Sequence, residues 1–255
     1  MAAQPRGACR PKILSAGLSE RLFLEDAYRK TAPATVKGLT DAGGIILDQT
    51  IFYAQGGGQP GDSGWLDYEG GRIAIATTMK GEGGDVVLLP AEPVALPKSG
   101  AAVEQRLDWA RRFNHMRMHT ALHLLSVVLP YGVTGGAIDA ERGRLDFDIP
   151  DSLPERMILQ GQLNALVDRN LPVTQHWITE AELDAKPEMV KTLSVKPPRG
   201  AGRIRLVQIG EGAAQIDLQP CGGTHVARTG EIGKLEILKI ENKGRQNRRV
   251  SIGFA

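Results

Sequence analysis

The sequence predicts an α+β chain of two domains, a small β-barrel followed by a mixed α/β part, and three observations carry this. Residues 34 to 108 read as short alternating segments cut by glycines, the pattern of a small barrel. Residues 108 to 129 place Met118, Ala121, Leu122, Leu125 and Leu129 at the spacing of one helix face. The hydrophobic period therefore changes near residues 100 to 110, and the domain boundary is set there: 21–107 and then 108–255.

In chain order, TVKGL, GGIILDQ, GWLDY, GRIAIATT, DVVLLP and AVEQRLD are the expected barrel strands. The helix that follows stops at Pro130, which can neither donate to nor fit inside a helix. VTGGAID and GRLDFDI read as strands. A second helix is expected from about Pro154 to Arg169, opened by Ser152, Pro154 and Glu155. VTQHWI, RIRLVQI, AAQIDLQ, KLEILKI and RRVSIGF read as further strands, with a short helix at TEAELDA and a Pro/Gly-rich connector at KPPRGAG.

At 255 residues the chain buries a core without staples, and 42% apolar with 24% charged residues is a globular composition. A net charge of +2 means that nucleic-acid contact must come from local patches. Two cysteines are too few for a disulfide framework, which points to a reducing, cytoplasmic setting. No run approaches the roughly 18 apolar residues of a membrane span. Residues 1–20 are expected to be a disordered tail; the absence of any acid before Glu20 leaves a transit peptide open.

The chemistry concentrates in two places. His119 and His123 stand i, i+4 on the first helix, stacked on one flank, where two imidazoles can converge on one ion. Cys221-Gly222-Gly223-Thr224-His225 adds a thiol and a third imidazole, completing the four donors of a tetrahedral zinc site. His115 also stands four residues before His119; it lies about 12 Å along the axis from His123, so the three cannot share an ion, and spacing does not choose between the pairs. Thr120 occupies the position where HExxH peptidases carry their glutamate base, which argues against amide hydrolysis. A Cys221 nucleophile with His225 as base, and a purely structural zinc, are the alternatives left by spacing. QGGGQPGDSG lacks the GK[ST] of a P-loop. His176 reads as a half-buried or surface strand residue.

RMHTALHLL followed about a hundred residues later by CGGTHV resembles the editing domain shared by alanyl- and threonyl-tRNA synthetases. With FLEDAY, TIFYAQGGGQPGDSG and RGRLDFDI, the chain resembles the freestanding AlaX-type alanyl-tRNA editing proteins from Leu22 onward. The resemblance implies a β-barrel domain, an α/β zinc-binding editing domain, and His119, His123, Cys221 and His225 as zinc ligands, with His115 left out. It implies hydrolysis of mischarged alanine tRNA, chiefly seryl and then glycyl, and places a hydroxyl-reading residue in the segment of Thr134. It also suggests that the glycine run helps to hold the acceptor stem. A tRNA-binding module with structural zinc is the competing function. Phosphate contacts are expected from Arg111, Arg112 and Arg117, from Lys196 to Arg205, and from residues 243 to 249. No helical extension follows FA at 254–255, from which a monomer without protein partners is expected.

Overall fold

The computed structural model describes residues 18–150, 153–193 and 202–255. A two-residue strand β1 (Glu20–Arg21) leads into β2 (Thr31–Leu39), β3 (Ile45–Leu47), β4 (Gln49–Thr50), β5 (Gly64–Tyr68), β6 (Gly71–Lys80), β7 (Val86–Pro90) and β8 (Ala102–Leu107). Six of these close an antiparallel barrel in the order β2-β3-β7-β6-β5-β8, with β8 returning to β2. Alternation makes the interior: Ala32, Ala34 and Val36 of β2 and Ile73 and Ile75 of β6 point inward, with exposed neighbours between them. β2 is long enough to pair with β8 through its first half and with β3 through its second, bending at a bulge between Val36 and Gly38.

Asp108 ends the barrel and caps the next element, its carboxylate accepting from Arg111 N–H at 3.2 Å. α1 (Trp109–Val128) follows, then β9 (Gly132–Ile138), β10 (Arg142–Asp148), α2 (Arg156–Asp168), β11 (Val173–Thr179), α3 (Glu180–Asp184), β12 (Arg203–Ile209), β13 (Asp217–Pro220), β14 (Leu235–Asn242) and β15 (Asn247–Phe254). β14-β15-β10-β9 form one antiparallel sheet and β11-β12-β13 another. α1 packs on β9 and β10, α2 packs on β14, and the two helices touch. Met118, Ala121, Leu122, Leu125 and Leu129, the expected core stripe, are all buried with Leu145, Phe147, Val250 and Ile252. Each such aliphatic side chain contributes roughly 1.5–3 kcal/mol by leaving water. The barrel core, from Leu22 to Leu107, is a separate cluster.

Several expectations need adjusting. α2 begins at Arg156, two residues later than predicted, and Glu155 at its N-cap gives no side-chain cap; Ser152 lies outside the described residues. AAQIDLQ becomes a strand only from Asp217, because Gly212–Ala214 turn as a 3-10 segment. Of the expected tail, 1–17 fall outside the described residues, but Ser19 is buried, its hydroxyl donating to Leu47 O at 2.6 Å. Residues 196–201 of the connector also lie outside the described residues. No helix among the described residues is long and apolar enough to cross a membrane.

The sharpest correction concerns Arg112, expected on a phosphate-binding surface. It is 1% exposed and pairs with Asp62 of the barrel loop, Nε lying 3.1 and 3.0 Å from the two carboxylate oxygens and Nη2 bonding the same carboxylate. Nη1 and Nη2 also donate to Ala27 O (3.0 Å) and Ile51 O (2.6 Å). Arg117 is likewise engaged, donating to Ile232 O and lying over the Phe254 ring at 3.8 Å. Arg112 thus fixes α1 to the barrel. Removing one charge of a buried pair strands the other, so Asp62→Asn is expected to cost roughly 3–5 kcal/mol in urea unfolding; a cost below about 1 kcal/mol would contradict this role.

Candidate metal centre

α1 is buried almost all round, and its polar flank therefore needs partners inside the protein. His119 and His123 meet Cys221 and His225 from the turn after β13, with one donor atom from each residue lying within 4.8 Å of every other. Cys221 Sγ is 3.5 Å from His119 Nε2 and 3.2 Å from His225 Nε2. A tetrahedral ion with metal–sulfur and metal–nitrogen bonds of about 2.3 and 2.05 Å would separate its ligands by roughly 3.3–3.6 Å. The two Cys221 distances are close to this range, and the donor set suits a soft-to-borderline divalent metal.

The outer nitrogens settle which atoms face inward. His119 Nδ1 lies 2.9 Å from Gln59 Oε1, and His123 Nδ1 lies 2.9 Å from Asp217 Oδ2. His225 Nδ1 lies 3.1 Å from Thr120 Oγ1, whose own proton goes to Met116 O at 2.9 Å. Each Nδ1 thus faces an acceptor and carries a proton, so that Nε2 is the atom each ring turns toward the centre. Asp217 is itself held by Lys191 Nζ at 2.6 Å and Gln219 Nε2 at 2.8 Å.

Burial alone would push the Cys221 thiol up, but His119 and His225 beside it bring it well below the ordinary thiol value. Burial works against a charge on His123, and the Asp217 hydrogen bond together with Cys221 reverses this to about 9. Asp217 is drawn down to about 2 against its own burial, by His123 and Lys191. Burial and the neighbouring His119 depress His225 to about 3. Neighbouring groups thus favour the charged form of Cys221 and of His123.

Gly223 is a steric requirement: a Cβ there would overlap the His119 ring. Gly222 has open space around it, and neither residue has a positive φ, so the turn uses the missing side chain of one glycine and no left-handed backbone. Arg205 Nη1 clamps the same turn by donating to Cys221 O (3.0 Å) and Gly223 O (2.7 Å). Gln59, Asp217 and Gln219 have no mark in the sequence, since each acts through contacts distant in the chain; Arg205, expected among the phosphate contacts of Lys196 to Arg205, is instead half-buried and committed to this turn.

His115 and His176 are not among the gathered ligand atoms. His115 is 1% exposed with Nδ1 unpartnered among the described residues, and burial pushes it down to about 4. His176 is exposed on β11. Thr134 is the extra residue of a bulge in β9, half-buried, its hydroxyl donating to Asp146 O at 3.1 Å. Among residues 243 to 249, Arg249 pairs with Asp146 and Lys243 with Glu241, leaving Arg245 the most open cation.

Residues 204–251 match the family model described as the threonyl and alanyl tRNA synthetase second additional domain, and residues 25–111 match that of class II (A) tRNA synthetases. The chain is 32% identical over 241 residues to the alanyl-tRNA editing protein AlaX-M of Methanosarcina barkeri, covering 91% of this chain and 98% of that protein. It is 32% identical over 240 residues to the protein of that name from Saccharolobus solfataricus, again covering 91% and 98%. The alanine–tRNA ligase of Pyrobaculum arsenaticum is 36% identical over 240 residues, 90% of this chain but 26% of the ligase.

Metal entry must displace the proton that His123 keeps up to about pH 9. Calorimetry in buffers of different ionisation enthalpy is therefore expected to show proton release on metal binding at pH 7 that falls as pH passes about 9. No release at pH 7, or a release that does not fall across that range, would contradict the raised His123 value.

Proposed function

The chain belongs to the AlaX-type alanyl-tRNA editing family, and from that premise we propose that it is a zinc-dependent deacylase acting in trans on mischarged alanine tRNA, chiefly the seryl and secondarily the glycyl form. The observation that carries this is the gathering of one sulfur and three imidazole nitrogens, each ring held by an acceptor on its other nitrogen. Residues 21–107 act as the barrel domain and 108–255 as the editing domain.

A synthetase pocket shaped for alanine rejects an analogue with one added hydroxyl only about a hundredfold, so a second, hydrolytic site is required. His119, His123, Cys221 and His225 would hold zinc, which when bound polarises a carbonyl or lowers the pKa of a water to about 7. The chain's own contribution is positioning. Asp217 is occupied by His123, Lys191 and Gln219 and kept ionised, so it orients His123 and is not a free base for water. The ester at the tRNA 3′ end is already activated, and hydrolysis asks less of a base than an amide would.

Thr134 is the proposed reader of serine. Its proton is committed to Asp146 O, so it offers lone pairs to a substrate hydroxyl; an alanyl ester would leave that acceptor unpaired at about 1–3 kcal/mol. The glycine turn at 56–58, with the Lys80 ammonium beside Gly56, is the proposed seat of the acceptor end. Arg111, Arg203 and Arg245 are the remaining candidates for phosphate contact, and the protein is taken to act as a cytoplasmic monomer.

Deacylation of seryl-, glycyl-, threonyl- and alanyl-tRNA, with and without zinc, tests the reading. His123→Ala is expected to lower kcat/KM on seryl-tRNA by about 10²–10⁴-fold, the worth of a several-kcal/mol Lewis acid. Salt-sensitive tRNA binding with the ester left intact would instead support a binding module with structural zinc. Thr134→Val is expected to reduce the seryl-over-alanyl preference by roughly 5–150-fold with zinc content unchanged; an unaltered preference would remove Thr134 from selection.

A further inference from the structure

We infer that Gln59, in the glycine turn of the barrel, is a positioning residue of the metal centre, fixing the ring and tautomer of His119 across the barrel boundary. This rests on the reading of the four gathered residues as metal ligands. Gln59 is 0% exposed and makes three side-chain contacts. Its Oε1 lies 2.9 Å from His119 Nδ1 and accepts Thr224 N–H at 3.1 Å, while Nε2 donates to Thr224 Oγ1 at 2.8 Å.

The Thr224 contact removes the usual ambiguity of an amide. A backbone N–H only donates, so the atom facing it must be the oxygen; a flipped amide would set N–H against N–H. That oxygen then requires a proton on His119 Nδ1, which frees Nε2 toward Cys221 Sγ at 3.5 Å. His123 and His225 take their partners, Asp217 and Thr120, from the part of the chain after the barrel. Only His119 is oriented by the barrel.

The turn is built to deliver this one side chain. Gly56 and Gln59 exchange backbone hydrogen bonds at 3.1 and 3.0 Å, around Gly57 and Gly58 with φ of 57° and 83°, which glycine adopts without strain. Gly58 O accepts from Ile138 N–H at 2.9 Å, tying the turn to β9. A Cβ at Gly58 would press on the Gly136 carbonyl, and one at Gly223 would meet both the His119 ring and Gln59 Oε1. Neither position admits a side chain while the turn, the His119 ring and the Gln59 amide keep this close approach.

The test compares Gln59→Leu and Gln59→Glu in the full chain, by zinc competition against a chelator and by the visible absorption of the cobalt-loaded protein. A glutamate oxygen can accept from both His119 and Thr224 N–H, and the Thr224 hydroxyl can turn to donate to the other; leucine can do neither. Gln59→Leu is expected to weaken zinc binding by roughly 10–100-fold and to change the cobalt band, while Gln59→Glu stays close to the unsubstituted chain. Unfolding of the metal-free proteins checks for a merely structural loss, and Gln59→Asn, one methylene short, replaces the leucine variant if that does not fold. Undiminished zinc affinity in Gln59→Leu, or equal weakening in both variants, would overturn the role of Gln59. Failure of the unsubstituted chain to take up either ion would overturn the metal reading itself, and this inference with it.

Discussion

Three imidazoles and a thiol share one largely buried space, and that proximity constrains everything around it. Protonated imidazoles repel one another there, while neutral ones leave polar nitrogens without water. The protein resolves the second problem completely: Gln59, Asp217 and Thr120 take the outward nitrogens, so only inward lone pairs remain. It resolves the first only in part. Neighbouring groups favour the thiolate at Cys221 and the imidazolium at His123, and a divalent cation held by the four donors would take the place of that proton.

Holding four donors in register requires pieces far apart in the chain to meet rigidly. α1 supplies two donors on one flank and is pinned to the barrel at its first turns by Arg112 and Asp62. The turn after β13 supplies the other two and is clamped by Arg205. The glycine run, whose composition suggests a loose loop, is instead a tight turn tied to β9, with the Gln59 side chain buried against the centre. The barrel is therefore part of the cluster's architecture as well as a candidate surface for tRNA.

Much of this was legible in the sequence because it is periodic. Alternating residues in GRIAIATT and the stripe from Met118 to Leu129 report which side chains face inward, and the structure places them there. Residue types and spacing already suggest RMHTALHLL and CGGTHV as the two halves of one four-donor site, but spacing leaves His115 as open as His123, and only the resemblance chooses between them. What the sequence concealed has no period. Gln59 and Asp217 lie 60 and 94 residues from the histidines they hold, and a polar residue in a glycine or strand-end segment looks the same whether it faces solvent or a buried ring. Arg112 was misplaced for a related reason: adjacent arginines advertise charge but not burial, and its carboxylate partner lies 50 residues away.

X-ray absorption at the zinc edge of the protein purified without chelator addresses the central claim most directly. One sulfur neighbour near 2.3 Å with nitrogen neighbours near 2.0–2.1 Å is the expected shell. Zinc bound without sulfur, or surrounded mainly by oxygen, would mean that the four residues do not act together on one ion.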